Sequence, residues 1–497
     1  MSDQPARLKR STGIDLTPVH NAFAFQLQAV EAVKGLPYAG LFHEQGLGKT
    51  KIGIDLILEW LRADDVDCVI IVTKRGLVEN WMGEIKAHSH LHPRVLDQNH
   101  SSNYFALNSA VPVYLTHYEV VRTEERRLAL FLKTRRVAVI LDEAHKIKNP
   151  DADISKALHK LAPSFVRRVI MTGTPVANRP YDLWSQIFFL DRGQALGGDF
   201  EAFKARLDLT NDLWRNDRKR ARFEAEVGSV FARIAHFSVR ETKSTSGIEL
   251  PEKVVENVVV PLATRQRALY DEIRSELSAE VVVDGDVVDD DAEYVLKRLL
   301  RLVQVASNPG LVDESYDEPP GKLAVVRDIL ARVDRDGGKA IVWTTFVDNA
   351  EWLAGQLGDY APAIVHGGLD DAERSAAVAA FKHDPRCRLL VATPGSAKEG
   401  LTLTVANHAI FYDRSFSLDD YLQAQDRIHR ISQGKTCYVW NLIGAGTVDE
   451  WVDLLLAAKR LAAQLAQADI DPQEYARVAD YDFGKVIKGI LGSQVVS

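Results

Sequence analysis

The segment His-Glu-Gln-Gly-Leu-Gly-Lys-Thr, residues 43–50, has the residue types and spacing of a phosphate-binding loop. Its glycines, Gly46 and Gly48, would let backbone amides wrap closely around an anion, and a helix starting there would direct its N-terminal amides at it. Lys49 is placed to reach the outer phosphates of a triphosphate, and the Thr50 hydroxyl to hold Mg²⁺. The strict pattern has glycine at position 43, so a glycine-rich turn before a helix is the alternative for this segment alone.

An acidic pair further along the chain weakens that alternative. The apolar run Val137–Leu141 has the length of a strand and is followed by Asp142 and Glu143. In open α/β sheets ligands bind at the carboxyl ends of parallel strands, where these two carboxylates would lie. Asp142 could hold the metal through a water molecule, and Glu143 could orient and deprotonate an attacking water. A solvated acidic strand end is the alternative for such a pair by itself, but together with a phosphate loop it indicates an NTPase.

The elements that must position these residues alternate between strands and helices. Segments with helical spacing, such as Thr50–Leu61 and Asp370–Phe381, lie between short β-branched runs. This alternation is typical of βαβ units that build parallel sheets. The strand-length runs are residues 68–73, 137–141, 166–171, 339–343, 388–392 and 408–412. They fall into two sets, in about 36–175 and 338–445, so we predict an α/β protein with two parallel-sheet lobes in tandem.

Composition limits the function classes. The chain has 497 residues, with 61 Lys plus Arg against 69 Asp plus Glu, and a formal net charge of −8. That length accommodates about two to four domains. A content of 46% hydrophobic and 26% charged residues is ordinary for a globular protein and argues against a fibrous or disordered chain. Because the net charge is negative, the overall field repels phosphate, and any nucleic acid must be bound by a local basic surface.

Targeting and redox signals point to a cytoplasmic protein. No apolar run reaches the ~18 residues of a membrane span, and the first residues lack the apolar core of a secretory signal. The three cysteines, Cys68, Cys387 and Cys437, lie far apart and form no CxxC pair. A disulfide framework and a structural zinc site are therefore not expected.

The order of further motifs resembles that of the SWI/SNF-type helicase-like ATPases of helicase superfamily 2, across roughly residues 20–455. The segment 141–150, Leu-Asp-Glu-Ala-His-Lys-Ile-Lys-Asn-Pro, is a DEAH box that continues into Lys-Asn-Pro, which favours this family over DEAH-type RNA helicases. Residues 171–178, Met-Thr-Gly-Thr-Pro-Val-Ala-Asn, match its third motif. Residues 423–433, Gln-Ala-Gln-Asp-Arg-Ile-His-Arg-Ile-Ser-Gln, match its sixth.

The resemblance implies two RecA-like lobes that use ATP and Mg²⁺. It places an adenine-reading glutamine at Gln26 and catalytic roles at Lys49, Asp142 and Glu143. Arg427 and Arg430 are three residues apart and would project from one helix face. From the second lobe they would act as arginine fingers on the γ-phosphate. A salt-bridged helix face is the alternative for such a pair in isolation. The nucleotide-binding set implied is Gln26, Gly46, Leu47, Gly48, Lys49, Thr50, Arg427 and Arg430, with Thr50 and Asp142 as metal ligands.

The resemblance also implies a grip on double-stranded DNA through its backbone, which would be indifferent to base sequence. The candidate contacts are Lys74, Thr116, Thr172, Thr393, Lys398 and Thr402. The fifth motif, residues 392–403, is one residue longer than the common family pattern, and its Thr402 is often asparagine in the family. Trp81, Trp184 and Trp343 lie in predicted core elements, so we expect them to pack rather than to stack on bases.

We predict an N-terminal lobe over 1–235 with a helical protrusion at about 198–235, and an inter-lobe linker over 236–262. The C-terminal lobe then covers 263–455, with a helical insertion at about 263–310, and a helical tail covers 456–497. The expected function is that of a compact, monomeric, prokaryotic or phage-type motor that translocates on duplex DNA in repair, replication or defence. Single-stranded or branched DNA also fits, and protein partners are left open. The alternatives are a strand-separating DNA or RNA helicase, and a non-enzymatic subunit that uses ATP as a switch.

Overall fold

A computed structural model describes residues 13–176, 179–207, 217–283, 286–287, 292–396, 402–467 and 469–470. Within them the chain forms two compact units, the first centred on residues up to 208 with 223–248 and 465–470, the second on 249–464. Lys398, Asn178, most of the acidic segment 284–291 and the end of the predicted tail lie outside the described residues.

The first unit contains a seven-stranded parallel sheet in the order β3-β4-β2-β5-β6-β1-β7. Its strands are β1 (Tyr38–Leu41), β2 (Cys68–Thr73), β3 (Arg94–Val95), β4 (Val113–His117), β5 (Val137–Asp142), β6 (Arg167–Met171) and β7 (Ser238–Val239). The central strands β2, β4 and β5 are buried along their whole length. Their β-branched composition is typical of strands covered by helices on both faces.

Helices connect these strands. They are α1 (Ala24–Val33), α2 (Lys49–Arg62), α3 (Val78–His88), α4 (His100–Leu107), α5 (Tyr118–Thr123), α6 (Glu125–Thr134), α7 (Asp153–Leu161), α8 (Trp184–Asp191), α9 (Phe200–Leu207) and α10 (Asp217–Ile234). Helix α2 buries almost its entire length, from Lys51 to Leu61, which fixes the phosphate loop at its N-terminus against the core.

The second unit contains a six-stranded parallel sheet in the order β12-β13-β11-β14-β15-β8, and a short antiparallel pair, β9 with β10. The strands are β8 (Lys253–Val260), β9 (Val282–Val283), β10 (Asp286–Val287), β11 (Ala340–Trp343), β12 (Ala363–Val365), β13 (Leu389–Ala392), β14 (His408–Phe411) and β15 (Cys437–Gly444). Its helices are α11 (Thr264–Val281), α12 (Ala292–Ser307), α13 (Gly321–Arg335), α14 (Val347–Gln356), α15 (Asp371–His383), α16 (Leu418–Gln425) and α17 (Val448–Ala466).

The prediction of an α/β protein with two parallel-sheet lobes is confirmed. The predicted linker 236–262, however, is not a plain connector. Its first part forms β7, which pairs with β1, and its second part forms β8, which pairs with β15 over eight residues from Lys253 to Val260. The valine-rich run of β8 explains the difference, because valine has a high propensity for strands.

Helices α9 and α10 occupy the range of the predicted protrusion, and α11 and α12 that of the predicted insertion. Trp81 and Trp343 are fully buried and Trp184 nearly so, as expected of core residues. Among the described residues, no helix combines the length and apolar character needed to cross a bilayer.

Candidate active site

The phosphate loop joins β1 to α2 at the carboxyl edge of the first sheet. Gly46 and Gly48 have φ values of 86° and 73°, in the left-handed region that glycine adopts at no steric cost. A Cβ on Gly48 would also lie 2.4 Å from Nε2 of Gln26. Helix α2 begins at Lys49, so its first amides border the loop. The loop conformation therefore depends on both glycines and offers the amide-rich concavity that an anion needs.

The Lys49 ammonium group lies inside this loop. Its Nζ donates to the carbonyl oxygens of His43 at 2.9 Å and Glu44 at 3.3 Å. A Cβ on Gly173, in the third motif, would lie 2.4 Å from Cγ of Gln45 and 3.1 Å from the same Nζ, so glycine lets the loop and the lysine pack closely there. Lys49 is thus held between the phosphate loop and the end of β6, ready to meet an anion bound by the loop.

Gln26 contacts the loop backbone, which the sequence analysis did not foresee. Its Nε2 donates to the carbonyl oxygen of Leu47 at 3.0 Å, and its Oε1 accepts from the amide of Phe23 at 3.0 Å. The side chain is buried. Gln26 therefore ties α1 to the phosphate loop, and its adenine-reading role stays a prediction.

Asp142 ends β5 and is held by residues from other elements. One carboxylate oxygen, Oδ2, accepts hydrogen bonds from Nε1 of Trp81 at 2.7 Å and from the hydroxyl of Thr73 at 3.1 Å. The Tyr118 hydroxyl donates to the Asp142 backbone carbonyl at 2.8 Å. These contacts come from β2, α3 and α5, so the orientation of the carboxylate is built into the packing of the unit.

The electrostatics around Asp142 suit a divalent cation. Burial, and after it the neighbouring Glu143 carboxylate, raises the pKa of Asp142 to about 6. Two adjacent buried carboxyl groups are hard oxygen donors, and Mg²⁺ is usually held by one or two such groups together with substrate phosphates. Thr50 and Asp142 would hold the ion. When bound, Mg²⁺ would neutralise charge on the phosphates.

Glu143 adopts a backbone conformation that is rare for its residue type. Its φ and ψ are 53° and 50°, the left-handed region, which costs a non-glycine residue of order 1–3 kcal/mol. Oε2 lies 3.3 Å from Nδ1 of His145, and Nε2 of His145 lies 2.8 Å from Nζ of Lys74. Burial opposes ionisation, but His145, Lys74 and Lys49 outweigh it and keep the pKa of Glu143 below its ordinary range. The result is an ionised carboxylate beside the phosphate loop.

Most of the residues that support the acidic pair cannot be predicted from the sequence. Thr73 could have been found, because β2 neighbours β5 and parallel strands end at the same edge of a sheet. Trp81 was expected only to pack, and its hydrogen bond to Asp142 has no signal in the spacing, since it comes from α3. The contact of His145 with Lys74 is equally invisible in one sequence.

In the second unit the sixth-motif arginines do not lie on a helix, contrary to the sequence prediction. Helix α16 ends at Gln425, and the chain continues in tight turns through Arg427 and Arg430. Arg427 is buried, and its carbonyl accepts from the Leu403 amide at 3.0 Å. Arg430 donates from Nη1 to the Thr402 hydroxyl at 2.9 Å and from Nε to the Asp426 carbonyl at 2.9 Å.

The physical reason for this early helix end lies in Gln433. Its Nε2 donates to the carbonyl of Ile428 at 2.9 Å and to that of Ala406 at 3.0 Å. The first bond satisfies the Ile428 carbonyl that a continued helix would have used, and the second ties the turn to the segment before β14, so the turn is an alternative to the helix.

The candidate nucleic-acid residues differ in accessibility. Lys74 and Thr402 are half-buried, with Lys74 contacting His145 and Thr402 contacting Arg430. Thr116 is fully buried in β4, where its hydroxyl donates to the Leu96 carbonyl at 3.0 Å.

Two further threonines are also buried. The Thr172 hydroxyl accepts from the Thr174 amide at 3.2 Å, and the Thr393 hydroxyl lies 2.7 Å from that of Ser396. These hydroxyls, like that of Thr116, are both buried and engaged inside their own units, whereas Lys74 and Thr402 are half-buried and so are the stronger described candidates for contact with a nucleic-acid strand.

Comparison with known families decides the assignment. A sequence model of the SNF2-related domain matches residues 31–311, more than half of the chain. The chain belongs to the SNF2-related family. A model of the helicase conserved C-terminal domain matches residues 321–432 of this SNF2-related chain. These two domains indicate an ATP hydrolase and confirm the resemblance to the SWI/SNF-type ATPases.

Individual relatives are distant. An "Uncharacterized ATP-dependent helicase" of Mycoplasma pneumoniae is 25% identical over 451 residues, 88% of this chain and 41% of the relative. The human "SWI/SNF-related matrix-associated actin-dependent regulator of chromatin subfamily A member 1" is 26% identical over 440 residues, 82% of this chain and 40% of the relative. The solved "Sulfolobus solfataricus SWI2/SNF2 ATPase core in complex with dsDNA" is 25% identical, covers 95% of this chain and 97% of that chain, and has a TM-score of 0.41. The SNF2-related chain spans only 25% to 47% of the length of several curated relatives that it matches.

Replacement of Trp81 by phenylalanine tests the support of Asp142 in this SNF2-related site. The ring would still fill the core, but Oδ2 would lose its 2.7 Å donor. We expect the KM for Mg·ATP to rise about tenfold, in line with the ~1.5–3 kcal/mol of a hydrogen bond to a charged group. Steady-state ATPase kinetics over a range of Mg²⁺ concentrations measure this.

Trp60→Phe is the matched control. Trp60 is equally buried, and its Nε1 donates at 2.9 Å to the Lys34 carbonyl rather than to the site. It should lower stability by a similar amount, read from thermal unfolding, without changing the KM. Equal KM values for the two variants would contradict the assigned role of Trp81.

Proposed function

We propose that this chain is an ATP-dependent motor that couples hydrolysis to movement along duplex DNA. The observation that carries the proposal is one connected cluster in the first unit. The positive charge of Lys49 favours the ionised form of both Asp142 and Glu143. Through His145 the cluster extends to the half-buried Lys74. Groups suited to a triphosphate and a group suited to a nucleic-acid phosphate are therefore in contact through a single side chain.

The chemistry proposed is hydrolysis of the γ-phosphate. The amides of the phosphate loop and Lys49 bind the triphosphate, and Thr50 and Asp142 hold the metal ion. Glu143 orients a water molecule and accepts its proton, a task for which it is ionised. Arg427 and Arg430 are assigned to the charge that develops on the transferred phosphoryl group.

The DNA contacts proposed are to the backbone, by Lys74 and Thr402 in the first place. Phosphate contacts position a protein on a strand and carry no base information, so movement should be independent of sequence. With a net charge of −8, binding depends on local cations and should weaken steeply with salt. We place the motor in DNA repair, replication or defence, acting as a monomer over the predicted lobes 1–235 and 263–455.

ATPase assays with duplex DNA, single-stranded DNA and RNA at two salt concentrations test this proposal. We expect duplex DNA to stimulate turnover most, and less so at the higher salt concentration. Movement itself is measured by whether the protein, in the presence of ATP, displaces the third strand of a DNA triplex. Stimulation by single strands or RNA but not by duplex would favour a strand-separating helicase. No turnover with any nucleic acid would favour the ATP switch.

A further inference from the structure

Lys74, His145 and Glu143 form a continuous line of contacts within the first unit. Lys74 directly follows β2, and the other two residues lie in the turn after β5. Lys74 Nζ is 2.8 Å from His145 Nε2, and His145 Nδ1 is 3.3 Å from Glu143 Oε2. The side chains of His145 and Glu143 are only 10% and 16% exposed, so water competes little for these contacts.

Lys74 determines which nitrogen of the His145 ring carries the hydrogen. An ammonium group can only donate hydrogen bonds, so Nε2 of His145 must accept. The hydrogen of the imidazole then lies on Nδ1, the atom that faces Glu143. Oε2 of Glu143 therefore lies 3.3 Å from this N–H group, a close electrostatic contact whose angle does not meet hydrogen-bond geometry, and the imidazole is itself fixed by Lys74.

We propose that Lys74 and His145 restrain Glu143, and that a nucleic-acid phosphate releases the restraint by taking over the Lys74 ammonium. The inference rests on the proposed function, because it needs a strand that contacts Lys74. An ammonium–phosphate hydrogen bond joins two charges and is stronger than a bond from ammonium to a neutral imidazole. Binding of the strand therefore draws Lys74 away, His145 loses its anchor, and Glu143 is free to turn towards water. Lys74 and His145 are positioning residues, while Glu143 acts on the water.

Competition for Lys74 has a consequence for DNA affinity. If Lys74 cannot contact His145 and DNA at the same time, the contact with His145 weakens DNA binding by some factor. Removing His145 must then strengthen DNA binding by that same factor. A residue with a purely structural role would weaken DNA binding or leave it unchanged when removed. Affinity for DNA is thus a readout that does not depend on turnover.

The experiment compares His145→Ala, Lys74→Met, the double variant and Lys74→Arg in the full chain. We expect DNA-free ATP turnover to rise severalfold in His145→Ala and in Lys74→Met. It should rise no further in the double variant, because both substitutions break the same line of contacts. His145→Ala should lower the Kd for a duplex about fivefold, and Lys74→Met should raise it. Lys74→Arg keeps a donor and a positive charge, so it should bring the Kd for a duplex back towards the wild-type value that Lys74→Met loses.

Lys146→Met is the matched control. Lys146 is exposed, adjacent to His145 in the chain, and 3.3 Å from Glu119 instead. The substitution removes a neighbouring positive charge but leaves the contacts among Lys74, His145 and Glu143 in place, so DNA-free turnover should not change. A lower DNA-free turnover in His145→Ala and Lys74→Met, or an unchanged or higher Kd in His145→Ala, would overturn the restraint. If His145→Ala does not fold, Lys74→Met decides the DNA-free prediction alone.

These outcomes separate the inference from the proposed function. A wild-type protein that duplex DNA fails to stimulate would contradict the motor itself. A wild type that duplex DNA stimulates, with a His145→Ala variant of unchanged DNA-free turnover, would contradict only the restraint.

Discussion

Glu143→Gln is expected to lower the DNA-stimulated turnover number by about 10²–10⁴, the usual contribution of a positioned general base. The amide keeps the size of the side chain, and it can occupy the left-handed backbone at no greater cost than glutamate. It cannot accept the proton of the attacking water. Binding of ATP uses Lys49 and the loop amides, so the Kd for ATP should stay within about twofold, since the lost interaction belongs to the transition state. Single-turnover hydrolysis and binding of a fluorescent ATP analogue measure the two quantities.

Glu124→Gln serves as the matched control for this substitution. Glu124 is buried in the same unit, where it accepts from Nδ2 of Asn103 at 3.1 Å and pairs with Arg127 at 2.8 Å. It should lower the melting temperature more than Glu143→Gln does, yet leave turnover unchanged. Turnover by Glu143→Gln that remains close to the wild-type rate would contradict the role of Glu143 as the base.

The carboxyl edge of the first sheet shows what a sequence can predict and where it stops. The run 137–141 followed by two acids placed Asp142 at the end of a strand, and β5 indeed ends there. Alternation and motif order suffice for this, because strand ends follow from hydrophobic patterning. The φ of 53° at Glu143 does not follow, since glutamate has no preference for the left-handed region. That conformation exists because the surrounding packing overrides the local preference, which is typical of functional turns.

The sixth motif shows the opposite case, in which a local rule gave the wrong element. Arg427 and Arg430 have the i, i+3 spacing that places side chains together on a helix, but the helix ends at Gln425. The bonds from Gln433 that replace the helix join residues distant in the chain, such as Ala406. Helical spacing therefore identified a pair of arginines without identifying their geometry. The contact between Arg430 and Thr402 does not follow from the sequence either, because the two residues belong to different motifs.

Arg430→Ala is expected to lower the DNA-stimulated turnover number by about 10³-fold or more, the range found when an arginine finger is removed. The guanidinium would act on charge that appears only during phosphoryl transfer, so the KM for ATP should change much less. Arg430→Lys should not restore the rate, because an ammonium group lacks the planar fork of donors. Arg388→Ala is the control, since Arg388 in the same unit directly precedes β13 and pairs with Asp334 at 3.1 Å. Its turnover should equal that of the wild type.

The bond from Arg430 to Thr402 allows a sharper version of this test. Thr402→Val keeps the shape of the side chain and removes the hydroxyl that accepts from Nη1 at 2.9 Å. If that bond positions the arginine, turnover should fall about tenfold, as for the loss of one hydrogen bond to a charged group. In the Arg430→Ala background the same substitution should have no further effect on the DNA-free rate, because the group it positions is gone. A loss that adds fully in the double variant would mean that Thr402 acts independently of Arg430, through the strand alone. Non-additivity would instead mean that the second unit connects a candidate nucleic-acid contact, Thr402, directly to a catalytic group, Arg430. The first unit is proposed to make a similar connection, from Lys74 to Glu143 through His145.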